Sequence, residues 1–203
     1  SVEGISKAYG EHVIFEPLSF GISKGQKIAL IAKNGSGKTT ILKIIAGQET
    51  PDAGLVNFRK GIQVSFLQQE PILDPKKTVE EIILASGNKT LEVIAAYEKA
   101  LLNPEDEEKY QVGFDAMEQH GAWDFETEYK QLLSKLKLDD LTLKVGSLSG
   151  GQKKRLALFS VLLQKPDLLI LDEPTNHLDL EMIEWMEAYF IKEKITLLMV
   201  THD

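Results

Sequence analysis

A glycine-rich turn between an apolar run and a helical pattern constrains the fold of this chain most strongly. Residues 26–32 read QKIALIA, an apolar run that is too short for a helix and is therefore predicted to be a buried strand. The turn NGSG follows after Lys33. After it, KTTILKIIAG carries isoleucines at helical spacing, and Gly47 is predicted to end the helix. The glycines are thus expected between a buried strand and a helix N-terminus.

This turn has the groups that a phosphate needs. Backbone N–H groups converge at a helix N-terminus, where the helix dipole also favours negative charge. Residues 31–40, IAKNGSGKTT, nearly match the pattern G-x-x-x-x-G-K-[ST], in which the lysine reaches the β- and γ-phosphates and the next hydroxyl binds Mg²⁺. The predicted nucleotide-binding residues here are Lys33, Asn34, Gly35, Ser36, Gly37, Lys38, Thr39 and Thr40.

One position departs from that pattern. Ala32 stands where the pattern has its first glycine. A methyl group is tolerable at this position if the backbone φ is negative. The alternative is that the segment is a plain strand–turn–helix loop with no ligand.

A second element of a nucleotide site follows another apolar run. In PDLLILDEP, residues 166–174, the adjacent acids Asp172 and Glu173 come at the end of a predicted buried strand. Side chains alternate along a strand, so neighbouring acids point in different directions and can have different roles. One can hold Mg²⁺ while the other polarises the attacking water. The alternative is a solvated acidic turn before Pro174.

The remaining patterns predict an α/β fold. Alternation from Ser1 to Phe20, with turn signals at Tyr9-Gly10 and Glu16-Pro17, predicts two short antiparallel strands. Further strands are predicted near residues 54–58 and 62–67, helices between 78 and 138, and a last apolar strand in KITLLMVTHD. Apolar strands that alternate with helices indicate a largely parallel sheet covered on both faces.

Composition limits the partners and the compartment. The 203 residues include no cysteine, which excludes disulfides, thiolate metal ligands and a cysteine nucleophile and fits a cytoplasmic protein. No apolar run approaches the length of about 18 residues that a membrane span needs, so no direct membrane insertion is expected. The histidines are scattered, and no metal site other than that of nucleotide-bound Mg²⁺ is predicted. The chain does not begin with Met, and we expect it to be a fragment of a longer one.

The negative charge of the chain is concentrated in one segment. The net charge is −8, which argues against broad nonspecific binding of nucleic acid. Residues 88–130 contain eleven acidic and four basic side chains, so this segment alone carries −7. Its helical spacing predicts an acidic insertion within an otherwise balanced domain. The alternative is a solvated helical hairpin with no partner.

The pentapeptide LSGGQ, residues 148–152, gives these motifs a family context. Together with IAKNGSGKTT, LILDEPTNHLD and the final VTHD, it resembles the ATP-binding cassette (ABC) superfamily over essentially the whole chain. The resemblance implies one domain, residues 1–203, with the P-loop NTPase fold of ABC ATPases. It would carry an antiparallel β subdomain and a helical subdomain at about 72–147. The implied function is the binding of ATP and its Mg²⁺-dependent hydrolysis to ADP and phosphate.

The same resemblance implies roles for individual residues. Tyr9 would stack on adenine, and Phe15 is the alternative candidate for this role. A second alternative is that Tyr9 has no role in binding and faces the core from its strand. Gln69 would sense Mg²⁺ and the γ-phosphate, and its neighbour Gln68 is the less favoured candidate. The implied catalytic residues are Lys38, Gln69, Glu173 and His202, and the implied metal-binding residues are Thr39, Gln69 and Asp172. The implied signature and coupling residues are Ser149, Gly150, Gly151, Gln152 and Asp179.

The segment DEPTNHLD resembles the corresponding segment of the ABC-F branch, whose members carry two cassettes in one chain and act on the ribosome. The acidic segment 88–130 would be the helical arm of a first cassette. ATP in this superfamily is sandwiched between two cassettes, so the implied partners are a second cassette and the ribosome. Two other functions stay open: the ATPase subunit of a membrane transporter, and an ATP-gated binding module in which hydrolysis only times release.

Overall fold

The computed structural model describes residues 1–33, 35–103, 105–176 and 178–201. They form two compact units. The first contains Ser1–Pro71 and the residues from Lys165 to the end of the described chain, and the second is Ile72–Gln164. The sequence predicts a helical subdomain that ends near 147, whereas the second unit continues through the helix that follows the LSGGQ segment.

The first unit contains two sheets. Its antiparallel sheet has the order β2-β1-β4, formed by β1 (Val2–Tyr9), β2 (His12–Phe20) and β4 (Ala53–Val56). Its parallel sheet has the order β3-β7-β6-β5, formed by β3 (Lys27–Ile31), β5 (Val64–Leu67), β6 (Leu168–Asp172) and β7 (Thr196–Thr201). The helices of this unit are α1 (Lys38–Ile45) and α7 (Leu180–Lys192). The predicted α/β fold is thereby confirmed.

The unbroken apolar run of β6 fits its place in the interior of the parallel sheet. All five residues of β6 are buried, and β6 lies between β5 and β7 in register, with Ile170 opposite Phe66 and Leu198.

The strand β3 was predicted to be buried, but it lies at the edge of this sheet and is only partly covered; Ile31 is 67% exposed. An edge strand has a neighbour on one side only, which the apolar letters of a single strand do not reveal.

One core joins α1 to both sheets. Ile5 of β1, Leu42 and Ile45 of α1, Ile170 of β6 and Leu198 of β7 pack together and are almost fully buried. Helix α1 contacts β6 and β7 directly. The helix that follows the glycine-rich turn is therefore fixed in position by about half a dozen large aliphatic side chains, each worth about 1.5–3 kcal/mol of transfer free energy.

The turn predicted at Glu16-Pro17 is wrong. Pro17 lies inside β2, and the pairing with β1 jumps from Lys7↔Phe15 to Ile5↔Leu18 across it, which marks an irregularity in the ladder. Since β2 is an edge strand, the missing N–H of Pro17 can face away from β1 without the loss of a ladder hydrogen bond. The turn predicted at Tyr9-Gly10 is present between β1 and β2.

The second unit is helical. It contains α2 (Val79–Leu84), α3 (Lys89–Leu101), α4 (Glu107–Gln119), α5 (Ala122–Lys135), a short 3₁₀ helix (Val145–Ser147) and α6 (Gly150–Leu163). Helices α3, α4 and α5 pack on one another, and α2 packs on α6. The ring of Tyr129 in α5 lies 5.6 Å from that of Phe159 in α6, which joins α6 to this unit. The acidic segment 88–130 thus forms α3, α4 and most of α5.

Candidate functional site

The glycine-rich turn lies between β3 and α1, as the sequence predicts. Gly35 and Gly37 have positive φ, at 80° and 82°, and Gly37 is the N-cap of α1. A Cβ at Gly37 would lie 2.5 Å from Cγ2 of Ile14, so a side chain at position 37 meets both backbone strain and a steric clash. Ala32 is not among the residues with positive φ, and its methyl group is therefore compatible with the local backbone.

Lys38 begins α1 and is buried, with 8% exposure. Its Nζ donates a hydrogen bond to the carbonyl of Ala32, and it lies 3.5 Å from Oε1 of Glu173. The carbonyl at position 32 is a backbone group, so the substitution of the usual glycine by Ala32 leaves this contact in place. Burial of the ammonium group makes its partners important, since an unpaired charge is costly in the interior.

Thr39 and Asp172 connect α1 to the end of β6. The Thr39 hydroxyl donates to Oδ2 of Asp172 at 2.7 Å, and Asp172 is 1% exposed. The strand ends at Asp172, and the next residue, Glu173, has a positive φ of 47° while its N–H donates to the carbonyl of Val200 in β7. This left-handed conformation turns the chain away from the sheet, so the two adjacent acids occupy different positions relative to Lys38 and Thr39.

These residues surround one cavity of about 460 Å³. Its lining consists of Ile14, Gly35, Gly37, Lys38, Thr39, Thr40, Gln69, Asp172, Glu173 and Asn176. The structure therefore brings the glycine-rich turn, the two acids and Gln69 together, although they are far apart in the sequence. Ile14 and Asn176 were not predicted. Asn176 follows the acids in the same loop, and that proximity was the only signal available for it.

The two adjacent glutamines are distinguished by their contacts. Gln69 lines the cavity, whereas the amide of Gln68 donates to Oε1 of Gln48 at 3.1 Å. This arrangement favours Gln69 as the residue that faces a nucleotide. The sequence based this choice on the letters that follow the pair, and the different surroundings of the two glutamines are consistent with it.

The side chains that line the cavity are of the types that bind a triphosphate group and a divalent cation. The side chain of Ser36 has a buried Oγ with no hydrogen-bond partner among the residues that the structure describes, so the turn has unused hydrogen-bonding capacity. The oxygen donors of Thr39, Gln69 and Asp172 are of the hard type that Mg²⁺ prefers. Lys38 supplies the buried positive charge opposite them. The donor set is thus suitable for phosphate oxygens and for Mg²⁺, and Thr39, Gln69 and Asp172 are the residues that would hold the metal ion.

Tyr9 ends β1 and is 53% exposed. Its hydroxyl donates to Oε1 of Glu49, and Nζ of Lys7 lies over its ring, 5.6 Å from the centroid. The hydrogen bond to Glu49 raises the pKa of the Tyr9 phenol, and a contact with the Thr40 hydroxyl acts in the opposite direction. Phe15, the alternative candidate, packs against the core of the first unit. The interpretation of Tyr9 as a core side chain does not agree with its exposure.

The residues of the LSGGQ segment begin α6 in the second unit. Ser149 is the N-cap of α6; its Oγ accepts from the N–H of Gln152, and the Gln152 side chain accepts from the N–H of Ser149. Gly150 and Gly151 form the first turn of α6. Asp179 has the same kind of role in the first unit, where its Oδ1 accepts from the N–H of Met182 at the start of α7. Lys33 is exposed in the turn before Gly35, and its carbonyl accepts from the N–H of Ser36.

Two predicted residues, Asn34 and His202, lie outside the described residues. Within the described part of the chain, no helix combines the length and the apolar character that crossing a membrane requires.

Comparisons with a family model and with known proteins all indicate the same family. The family model described as "ABC transporter" matches residues 15–176. The chain is 44% identical, over 99% of its length, to the uncharacterized ABC transporter ATP-binding protein YfmR of Bacillus subtilis. It is 37% identical to ABC transporter F family member 2 of Arabidopsis thaliana and 36% identical to the energy-dependent translational throttle protein EttA of Mycobacterium tuberculosis, each over 100% of the chain. It covers 33%, 32% and 38% of these relatives, respectively, so it spans about a third of their length.

Two solved structures share the fold. The ATP-binding subunit of an ABC transporter superposes with a TM-score of 0.72 at 24% identity, over 99% of this chain and 78% of that one. The archaeal ribosome recycling factor aABCE1, in complex with the ribosomal stalk protein aP1, superposes with a TM-score of 0.67 at 27% identity, over 100% of this chain and 34% of that one.

Proposed function

Since the chain belongs to the ABC transporter family of ATP-binding domains, we propose that it is a cassette that binds ATP with Mg²⁺ and hydrolyses it as part of an ABC-F type protein that works on the ribosome. The observation that carries the catalytic part is the meeting of Lys38, Thr39, Asp172 and Glu173 at one cavity. A lysine, a hydroxyl and two acids with different surroundings are the groups that phosphoryl transfer to water needs.

The groups at this cavity have separate tasks in the proposed reaction. Lys38 and the amides of the glycine-rich turn stabilise negative charge on the phosphoryl group, since they are fixed by the fold before the reaction begins. Thr39, Asp172 and Gln69 would hold Mg²⁺, which would supply positive charge beside the phosphate oxygens. Glu173 orients and polarises the attacking water, and Gln69 with His202 reads the γ-phosphate. Tyr9 stacks on the adenine.

The two acids suit these tasks for different reasons. Asp172 lies at the end of β6 and shares a hydrogen bond with Thr39, so it is the acid positioned beside the hydroxyl that binds the metal ion. Glu173 lies one residue beyond, close to Lys38. A carboxylate beside a lysine that contacts the γ-phosphate is near the phosphorus atom that water must attack. We therefore assign metal binding to Asp172 and water activation to Glu173.

The ribosomal part of the proposal rests on the relatives. One of them is called an ABC transporter F family member, and another is called an energy-dependent translational throttle protein. A structural neighbour is a ribosome recycling factor. We propose that the cassette, 1–203, works in the cytoplasm with a second cassette, and that Ser149–Gln152 of one cassette contact the nucleotide bound by the other while Asp179 couples the two. The acidic helices of segment 88–130 are the proposed arm.

A transporter ATPase is the second candidate, because the ATP-binding subunit of an ABC transporter shares the fold. The deciding experiment uses the full-length gene product with Glu173→Gln, which should retain ATP and fail to hydrolyse it. We expect this variant, incubated with ATP and a cell extract, to sediment with ribosomes through a sucrose gradient. Lys38→Ala, which should not bind ATP, is the matched control.

The outcome separates the alternatives. Sedimentation of Glu173→Gln with ribosomes in ATP but not in ADP supports the proposal. Recovery with a membrane fraction that contains a permease, and none with ribosomes, supports the transporter subunit. An ATP-gated binding module in which hydrolysis only times release would also be trapped on ribosomes by Glu173→Gln. A non-hydrolysable ATP analogue distinguishes the two. With this analogue, a binding module would still produce its effect on translation, whereas an ATPase that uses the energy of hydrolysis would not.

A further inference from the structure

The side chains around Tyr9 form a connected polar cluster. The Tyr9 hydroxyl donates to Glu49, which follows the end of α1. Lys7 donates to the carbonyl of Thr50 at 2.9 Å and to Oδ1 of Asp52 at 3.1 Å. The other carboxylate oxygen of Asp52 accepts from the N–H of Ala8 at 2.8 Å. One end of β1 is thus fastened to the segment 49–52.

This cluster restricts the Tyr9 ring in two ways. Lys7 and Tyr9 are two residues apart on β1, so their side chains share one face of the strand, and the Lys7 ammonium lies over the ring. One face of the ring is therefore covered. The bond from the hydroxyl to Glu49 fixes the far end of the ring, and it limits rotation about the bonds that join the ring to the backbone.

The position of the cluster relates it to the phosphate cavity. The Thr40 side chain lines the cavity and also contacts the Tyr9 hydroxyl. Glu49 follows the same helix, α1, that begins with Lys38. The ring is therefore held by Thr40 of the helix that would bind the phosphates and by a residue just beyond the end of that helix, while 53% of Tyr9 stays exposed.

We propose that Glu49 is a positioning residue for nucleobase binding, because it holds the Tyr9 ring beside Thr40, which lines the phosphate cavity, and leaves one face of the ring uncovered. This inference rests on the proposed function, in which Tyr9 stacks on the adenine of ATP. Glu49 does not touch the base in this account. It removes the rotational freedom that a solvent-exposed tyrosine would otherwise lose on binding, so more of the stacking energy appears as affinity.

The test compares ATP with inorganic tripolyphosphate, which has the phosphates and lacks the adenosine. Calorimetric titration of the protein with each gives two dissociation constants, and the constant for tripolyphosphate divided by that for ATP measures the contribution of the adenosine, of which the stacked base is the part that Tyr9 would contact. We expect Tyr9→Ala to reduce this ratio about tenfold, since the variant loses both the apolar area of the ring and its stacking on the base. Glu49→Ala and Tyr9→Phe each break the hydroxyl contact and should reduce it about threefold. Glu49→Gln should restore it, because an amide oxygen also accepts from the hydroxyl.

Controls separate this role from a general loss of structure. Tripolyphosphate affinity should be unchanged in all variants, which shows that the phosphate cavity is intact. Glu16→Ala, which removes an exposed carboxylate on β2, should leave both ligands unaffected. The double variant Glu49→Ala with Tyr9→Ala should lose no more than Tyr9→Ala alone.

The possible failures are distinguishable. A normal ratio in Tyr9→Ala shows that Tyr9 does not stack, and the inference falls together with that part of the proposed function. A reduced ratio in Tyr9→Ala with normal ratios in Glu49→Ala and Tyr9→Phe leaves the stack in place and overturns the positioning role of Glu49. A ratio in Glu49→Gln as low as in Glu49→Ala also overturns it.

Discussion

The Thr39 hydroxyl donates a 2.7 Å hydrogen bond to Asp172, a residue 133 positions further along the chain. This bond joins the first turn of α1 to the end of β6. Both elements are held by the same core, in which Leu42 and Ile45 pack near Ile170. Packing of this core therefore brings together the groups that are proposed to bind phosphate, on α1, and the acid that is proposed to bind the metal ion, at the end of β6.

The first prediction concerns this pair. Asp172→Asn should weaken the effect of Mg²⁺ on ATP binding, because the amide keeps the shape of the side chain and loses the charge that attracts the cation. We expect the gain in ATP affinity that Mg²⁺ causes to fall about tenfold or more, in line with about 1.5–3 kcal/mol for a contact with a charged group. Titrations with and without EDTA measure it, with Asp167→Asn as the control. An unchanged Mg²⁺ effect would remove Asp172 from the metal site.

Lys38 should be essential for ATP binding although Ala32 departs from the usual pattern. Lys38→Ala should lower the affinity for ATP about tenfold or more, since a buried charge that contacts phosphate is lost. Ala32→Gly should change it less than about twofold, because the contact with Lys38 is made by the backbone carbonyl of residue 32. Calorimetry on the two variants checks both statements, and equal affinities for Lys38→Ala and wild type would contradict the assignment.

A cassette without its partner should hydrolyse ATP slowly. The LSGGQ segment and the glycine-rich turn of one cassette are proposed to serve different nucleotides, so a single tethered chain with both cassettes has the advantage of high effective concentration. Phosphate release per Lys38 site should be higher for the full-length product than for residues 1–203, and only the latter should depend steeply on protein concentration. Equal rates that do not depend on concentration would show that one cassette suffices.

Lys194→Gly should stabilise the protein. Lys194 follows the C-cap of α7 with φ of 50°, and the N–H groups of Lys194 and Ile195 donate to the carbonyls of Ile191 and Phe190, the pattern of a Schellman motif. The left-handed conformation strains a lysine and not a glycine, so urea denaturation should show a gain of about 1 kcal/mol. Lys192→Gly, at the last position of α7, should instead be destabilising, by no more than the roughly 1 kcal/mol that glycine costs in a helix interior. Similar losses in both variants would show that the strain is negligible.

Acid should weaken the contact of Asp52 with β1. The N–H of Ala8, and after it the side chain of Lys7, lower the pKa of Asp52 below its ordinary value of 3.8. A lowered pKa means that this contribution to stability is complete above pH 3.8 and is lost as the pH falls through the folded-state value. Asp52→Asn cannot titrate, so its stability should depend less on pH below about 4 than that of wild type. Urea denaturation across this range tests it, and Glu16→Gln should behave as wild type.

The sequence allowed the strongly patterned parts of the fold to be predicted. The strand at 27–31 and the helix at 38–45 follow from apolar spacing and from the glycines between them, and β6 follows from an unbroken apolar run. The acids Asp172 and Glu173 were identified because they end that run. These are local signals, and the structure agrees with the positions of the elements.

Other features depend on distant contacts or on unusual backbone conformations. In the described part of the chain, three helices are followed after their C-caps by a lysine in the left-handed conformation (Lys137, Lys165 and Lys194), where a glycine would have marked the end. The irregularity at Pro17 was interpreted as a turn because nothing local says that β2 lies at a sheet edge. The contact of Glu49 with Tyr9 joins the end of one strand to the loop after a helix. No motif records such a pair, since it is created only when β1 and α1 pack on the same core.

The close fit of Gly37 against Ile14 has a consequence for sequence variation in this protein. The space beside the glycine is taken by the side chain and carbonyl of Ile14 and by the ring of Phe15, all on β2, so a larger residue at 37 would require both a rearrangement of β2 and a different backbone conformation. A single amino-acid substitution cannot meet both requirements. Packing against the antiparallel sheet therefore limits which residues position 37 of the glycine-rich turn can accept, and substitutions at position 14 should be tolerated far more readily than any at position 37.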